Sequence, residues 1–105
     1  RGNMMNTPNH TPGPWKAVQH PREHKWAWTI EGADEVGQII ARMGLVNDAQ
    51  AVAANAHLIA AAPAMHRELE TVREYLLKLY DQGNSEAGQY VASIDTTLAQ
   101  AEGKP

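Results

Sequence analysis

Hydrophobic and polar residues alternate in the first half of the chain and recur at helical spacing in the second. From Trp15 to Met43 the pattern predicts three short strands, Trp15 to Gln19, Lys25 to Glu31 and Val36 to Met43. In the second, Trp26, Trp28 and Ile30 alternate with Ala27 and Thr29, the period of two that a half-buried strand requires. In the third, Ile39, Ala41 and Met43 share one parity and Ile40 takes the other. A charged loop with a proline, His20 to His24, and a polar turn, Glu31 to Glu35, separate them. Connections this short favour an antiparallel meander, since parallel strands need a crossover of about a dozen residues.

After Gly44 the period changes. Asn47 or Asp48 is placed to cap a helix by accepting orphan backbone N–H groups. That helix runs through the alanine-rich stretch from Ala51, with Val52, Ala56, Ile59 and Pro63 on one face, Leu58 beside it and His57 away from it. Pro63 disfavours helical geometry at Ala62 and suits the first turn of a new helix, so a break or bend is expected there. The next helix runs to about Asp81, with Met65, Leu69, Val72, Leu76 and Leu79 spaced as an a/d seam. Gln82-Gly83-Asn84 stops it, and Ser85 is placed to cap a third helix. There Ala87, Val91, Ile94, Leu98 and Ala101 repeat the same spacing, and two matched seams predict an antiparallel helical hairpin. The expected fold class is therefore α+β, a three-stranded antiparallel β-meander followed by three helices. Residues 1–14, with three prolines and three asparagines, read as a flexible arm. Residues 15–102 read as a single domain and 103–105 as a frayed tail. Arg1-Gly2-Asn3, ahead of Met4-Met5, reads as a remnant preceding the natural start.

Composition narrows the chemistry. In these 105 residues there is no Phe, so three Trp and three Tyr are the bulky core fillers. A core this thin favours a homodimer or higher oligomer. There is no Cys, which removes disulfides, thiolate nucleophiles and cysteine metal sites together. The net charge of -3 argues against general nucleic-acid binding, though not against a local basic patch. No apolar run is long enough to span a bilayer, and a cytoplasmic protein is expected.

Candidate sites follow from what is left. His20 and His24 are four apart with Glu23 between, but Pro21 makes the segment a loop and the zincin pattern is absent, so no metal site is expected. Trp15, Trp26 and Trp28 suit either the core of a small sheet or a platform on which a base stacks, with Arg22, Lys25 and Arg42 meeting phosphates. The core or an oligomer interface is the heavier reading. Asn55, a poor residue inside a helix, reads as a buried polar tie at a helix contact, the alternative being an exposed turn. Tyr75, Leu77 and Tyr80 lie off the seam and with Tyr90 make a second apolar surface, of the kind that marks a partner interface. Glu68, Glu70 and Glu74 read as a solvated face. No phosphate loop, nucleophile elbow or catalytic triad is present, and no enzyme activity or cofactor is expected.

Two segments carry a resemblance. His10-Thr11-Pro12-Gly13-Pro14-Trp15, an Ile40-Ala41 pair and Ala54-Asn55-Ala56-His57-Leu58-Ile59-Ala60-Ala61-Ala62-Pro63, in this order, resemble a group of small phage and prophage proteins. In that group the position of His57 is usually arginine, and Ala64-Met65-His66 stands where Glu-Leu-Leu is usual. The resemblance implies a phage accessory protein, of a kind used against host defences or for host takeover. Its partner is then expected to be a host protein or, alternatively, a small nucleotide signal sequestered by an oligomer. A DNA-contacting accessory role is a third reading that the acidic balance opposes.

Overall fold

The structure is a computed structural model and describes residues 10–21, 24–32, 37–44 and 49–104. Three strands, β1 (Trp15–Gln19), β2 (Trp28–Gly32) and β3 (Ile39–Met43), precede three helices, α1 (Ala49–Ala60), α2 (Ala62–Asp81) and α3 (Ser85–Ala101). The strands form one antiparallel sheet in the order β1-β2-β3. The fold is the α+β meander with a helical hairpin that the periodicity implies. The residues expected to cap α1, Asn47 and Asp48, and most of the turn after Glu31 lie outside the described residues. Two units are distinct in the fold, residues 1–64 and residues 65–105.

In the first unit the cross-strand register sorts the sheet into two faces. Ile30 pairs with Ala17 on one side and Ala41 on the other, and is fully buried. Trp28 and Gly32 share its parity, and α1 packs on β1 and β2. The Trp28 indole meets the His57 ring edge-on at 5.2 Å, which identifies this as the face that α1 covers. Buried Val52 and Ala56 lie one helical turn apart on α1 and face inward. An alanine at the contact lets a helix approach closely, at the cost of little apolar area per residue. Lys16, Val18, Thr29, Glu31 and Arg42 occupy the opposite face by parity.

One position breaks the alternation. Ile30 pairs with Ala41 but Glu31 pairs with Ile39, so Ile40 is an extra residue in β3, a β-bulge. The bulge carries Ile39 to the face of Glu31 and leaves it exposed, whereas strict alternation would place it with Ala41 and Met43.

The segment before β1 is tied down from His10 onward. The Trp15 indole N–H donates to the Thr11 carbonyl at 3.0 Å, and the His10 ring meets Trp15 edge-on. The Gly13–Pro14 peptide is cis. Gly13 sits against buried Pro63, so close that a Cβ on Gly13 would lie 2.6 Å from Pro63 Cβ. The two segments that carry the phage resemblance, around Gly13 and before Pro63, therefore touch.

The second unit contains a hairpin whose turn is built from backbone geometry. Gly83 has a φ of 102°, its N–H donates to Tyr80 O, and Asn84 N–H donates to Leu79 O. This is a Schellman close, which needs a residue without Cβ strain at the left-handed position. Asn84, and not Ser85, then caps α3, its side-chain oxygen accepting from Ala87 N–H at 3.1 Å. Gly103 closes α3 in the same way, with Lys104 N–H donating to Ala99 O.

Three ties set the register of α2 on α3. His66 Nε2 donates to Glu102 Oε2 at 3.2 Å, Arg73 pairs with Asp95, and the Tyr80 ring lies over Gly88. Positions 66, 73 and 80 rise by one heptad each while 102, 95 and 88 fall by one. This constant register is what an antiparallel pair of matched seams dictates.

Candidate functional site

The sequence places the candidate ligand residues close together, and the fold divides them. Trp28 lies on the α1 face with His57, and Trp15 belongs to the hook at Thr11. Trp26 goes elsewhere. Its indole lies 6.0 Å from the Arg42 guanidinium and 5.6 Å from Lys25 Nζ. Arg42 pairs with Thr29 across β2 and β3, so Trp26 sits on the face opposite Trp28. The expected strand from Lys25 instead begins at Trp28, and the period of two holds only from there. The cause is local: His24 Nδ1 takes the Trp26 N–H at 3.0 Å, which bends the chain just before β2. Arg22 lies outside the described residues.

Around Trp26 a polar cluster forms. The His20 and His24 rings stack with centroids 4.1 Å apart and planes 14° from parallel. His20 is fixed from below. Thr29 is 2 % exposed, and its hydroxyl donates to Glu31 Oε2 at 2.6 Å. A hydroxyl has one hydrogen, so the 2.8 Å contact between Thr29 Oγ1 and His20 Nε2 requires the imidazole to donate. The chain Glu31–Thr29–His20 therefore orients the His20 ring with its Nε2–H toward Thr29. His24 Nδ1 lies against the Trp26 backbone, 3.0 Å from its N–H and 3.1 Å from its carbonyl, which leaves Nε2 as the ring nitrogen without a partner in the backbone of Trp26.

Two cations complete the cluster. Among the described residues neither Lys25 nor Arg42 has a carboxylate partner. Glu31, the nearest carboxylate by register, accepts from Thr29. The cluster thus presents an indole, two cations over its ring with no carboxylate partner among the described residues, and an exposed imidazole. That set suits an anion with a planar group, since guanidinium and ammonium donors hold phosphate oxygens and an indole stacks on rings. Metal ligation fits it less well. One nitrogen of each histidine is already used within the protein, and among the described residues no three metal-ligating side chains converge.

The interface candidates fall on the helices. Asn55 is exposed on α1, so within the chain it is a solvent-facing turn and not the buried tie that its placement suggests. Leu77 is half-buried. Tyr75, Tyr80 and Tyr90 are exposed, Tyr75 at 61 % and Tyr90 at 55 %. Met65 and Val72, both members of the α2 seam, are each 43 % exposed. They lie two helical turns apart on one line, with Tyr75 beside them and away from the side that His66, Arg73 and Tyr80 turn to α3. The heptad pattern reads this seam as facing α3; the structure leaves the Met65–Val72–Tyr75 strip open.

Electrostatics at the hairpin are local. The hydrogen bond to Asp95 raises the Arg73 pKa further above its ordinary value, helped by the nearby charges of Asp95 and Glu74 and opposed by desolvation. At the end of α3, Lys104 first and His66 second hold the Glu102 carboxyl below its ordinary range, and Glu102 in turn raises Lys104. Among the described residues no helix is long and apolar enough to cross a membrane.

A family model described as Salmonella phage P22 protein Y8K6 matches residues 4–105. No curated protein and no solved structure matches the chain.

Proposed function

The chain belongs to the family of Salmonella phage P22 protein Y8K6, and from that premise we propose that it is a phage accessory protein acting by binding, its target a host factor in the defence against phage. The observation that carries this reading is the open strip on α2, Met65, Val72 and Tyr75. Methionine and tyrosine are favoured at protein interfaces, where they supply large contact area at modest entropic cost. Arg67, Glu68 and Glu74 are exposed on the same helix and provide a polar rim. The helical face, with its anchors at one-heptad spacing, fits a groove or a partner helix. Catalysis draws no support from the arrangement of the described residues: Thr29, the hydroxyl in the histidine chain, is buried and its proton is already given to Glu31.

The reading is tested by photo-cross-linking in infected cells, with the cross-linker at Tyr75 in one variant and at Lys104, an exposed residue off the strip, in another. The expected outcome is one host protein joined through position 75 and not through 104. Adducts confined to a second copy of this chain would replace the host partner by self-association, the oligomer that a thin core favours. No adduct from position 75 overturns the reading.

A further inference from the structure

The cluster at Trp26 lies on the sheet and shares no residue with the helical strip, and it is unusual in this chain for its sign. The protein carries a net charge of -3, yet Lys25 and Arg42 both approach one indole with no carboxylate beside them among the described residues. Both cations lie within 6.0 Å of the same ring, so an anion placed at that ring is attracted by both. His24 is exposed and stacks on a His20 that buried Thr29 and Glu31 hold in place, with its Nδ1 turned to the Trp26 backbone. Two cations therefore lie over a half-buried aromatic ring, with an exposed imidazole at the backbone of the same residue.

We propose that Trp26, Lys25, Arg42 and His24 form a binding site for a ligand that joins a planar ring to a phosphate, a nucleotide in chemical class. The ring stacks on Trp26. Arg42 and Lys25 hold the phosphate oxygens, and the His24 ring offers Nε2 for a further hydrogen bond. Thr29 and Glu31 act as positioning residues, because they fix the His20 ring on which His24 stacks. Trp15 and Trp28 take no part, since one lies in the N-terminal hook and the other under α1. The phosphate is that of a free nucleotide or of a single-stranded nucleic acid, and the chemistry of recognition is the same for both.

The test follows the indole and imidazole signals of the full chain by NMR while adenosine, inorganic phosphate, AMP and a short single-stranded oligonucleotide are added in turn. The expected result is that AMP moves the Trp26 indole N–H and the His24 ring, and that adenosine and phosphate alone each bind at least tenfold more weakly. The exposed pair Lys25→Ala/Arg42→Ala weakens AMP binding by tenfold or more and flattens its salt dependence. An oligonucleotide that binds more tightly than AMP, with a steeper salt dependence, identifies nucleic acid as the source. One that binds no better identifies the free nucleotide. The proposal is overturned if AMP at millimolar concentration leaves these signals in place, or if Lys25→Ala/Arg42→Ala binds AMP as the parent does. Trp26→Phe, which keeps a ring, serves to assign the signal and is expected to weaken binding only partly. A failure here leaves the partner reading of the hairpin untouched, since the two rest on different residues.

Discussion

The sheet unit and the hairpin both carry apolar residues along their whole length, and they hide them with different success. In residues 1–64 the sheet buries Ile30, and α1 covers it with Val52 and Ala56 while Pro63 seats Gly13. In residues 65–105, α3 buries Ala87, Val91 and Leu98, but no residue of α2 beyond Pro63 is buried. A sheet offers a flat face that one helix with small side chains covers. Two helices touch along a line, so each keeps an apolar flank that the other does not reach. The difference teaches that a perfect heptad seam predicts a pairing without guaranteeing burial. His66, Arg73 and Tyr80 set the hairpin register, yet Met65 and Val72 in the seam remain open.

The comparison breaks most sharply at Ile30. Ile30→Ala empties the centre of the sheet unit and should cost about 3 kcal/mol by chemical denaturation, from the range of fully buried large-to-alanine changes. Val72→Ala removes a half-open side chain of the hairpin and should cost under about 1 kcal/mol. Equal costs would mean that the two units do not differ in packing as their exposures say.

Gly13 and Gly88 sharpen the same contrast at a smaller scale. Each sits where a Cβ would overlap a ring, 2.6 Å from Pro63 in one case and 2.7 Å from Tyr80 in the other. The Pro63 ring is rigid and buried, so Gly13→Ala should destabilise by about 1–3 kcal/mol, as overpacking does. Tyr80 is more than half exposed and its ring has room to swing away. Replacing glycine inside a helix also contributes roughly 1 kcal/mol in the favourable sense. Gly88→Ala should therefore be close to neutral alone, and stabilising by about 1 kcal/mol when Tyr80→Ala has removed the ring. Thermal melts of the two single variants and of the pair decide it, and a large cost for Gly88→Ala in the absence of Tyr80 would show that the ring is not the obstacle.

The smallest expected effect is at the end of α3. The Glu102 carboxyl is held below its ordinary value by Lys104 and then His66. A depressed carboxyl contributes stability that is complete above its unfolded-state pKa and is lost as the pH falls through the lower folded value. Acidification below the ordinary carboxylate range should thus loosen the last turn of α3, while the signals of the sheet stay in place. An NMR titration of the Glu102 carboxyl carbon and the Lys104 amide checks the direction, and a midpoint above that of a free glutamate would reverse it.

Much of this was legible in the residues. The bounds of β1 coincide with the pattern, and the seams place α2 and α3 within a residue or two. What escaped it were positions where a side chain overrides a period. His24 takes the Trp26 N–H and sends that indole to the far face, and Ile40 adds a bulge that displaces Ile39. Asn84 takes the cap from its neighbour Ser85 because the Schellman close already delivers its backbone there. The signal for the polar cluster was present: Thr29 and Glu31 are two apart on a strand, hence on one face, with His20 across the turn. Nothing in the pattern, however, says that Thr29 would be buried and hold a histidine.

By itself the sequence determined the order and kind of the elements, because periods of two and of three to four are local properties of the chain. It also predicted that the last two helices pair, since they carry matched seams, while side chains off the seam, His66, Arg73 and Tyr80, set the register. The tertiary structure decided which residues meet across long separations: Gly13 with Pro63, His20 with Thr29, and Arg42 with Trp26. Those contacts depend on how strands register and where a bulge or a side-chain hydrogen bond breaks the alternation, and no period in the sequence encodes them.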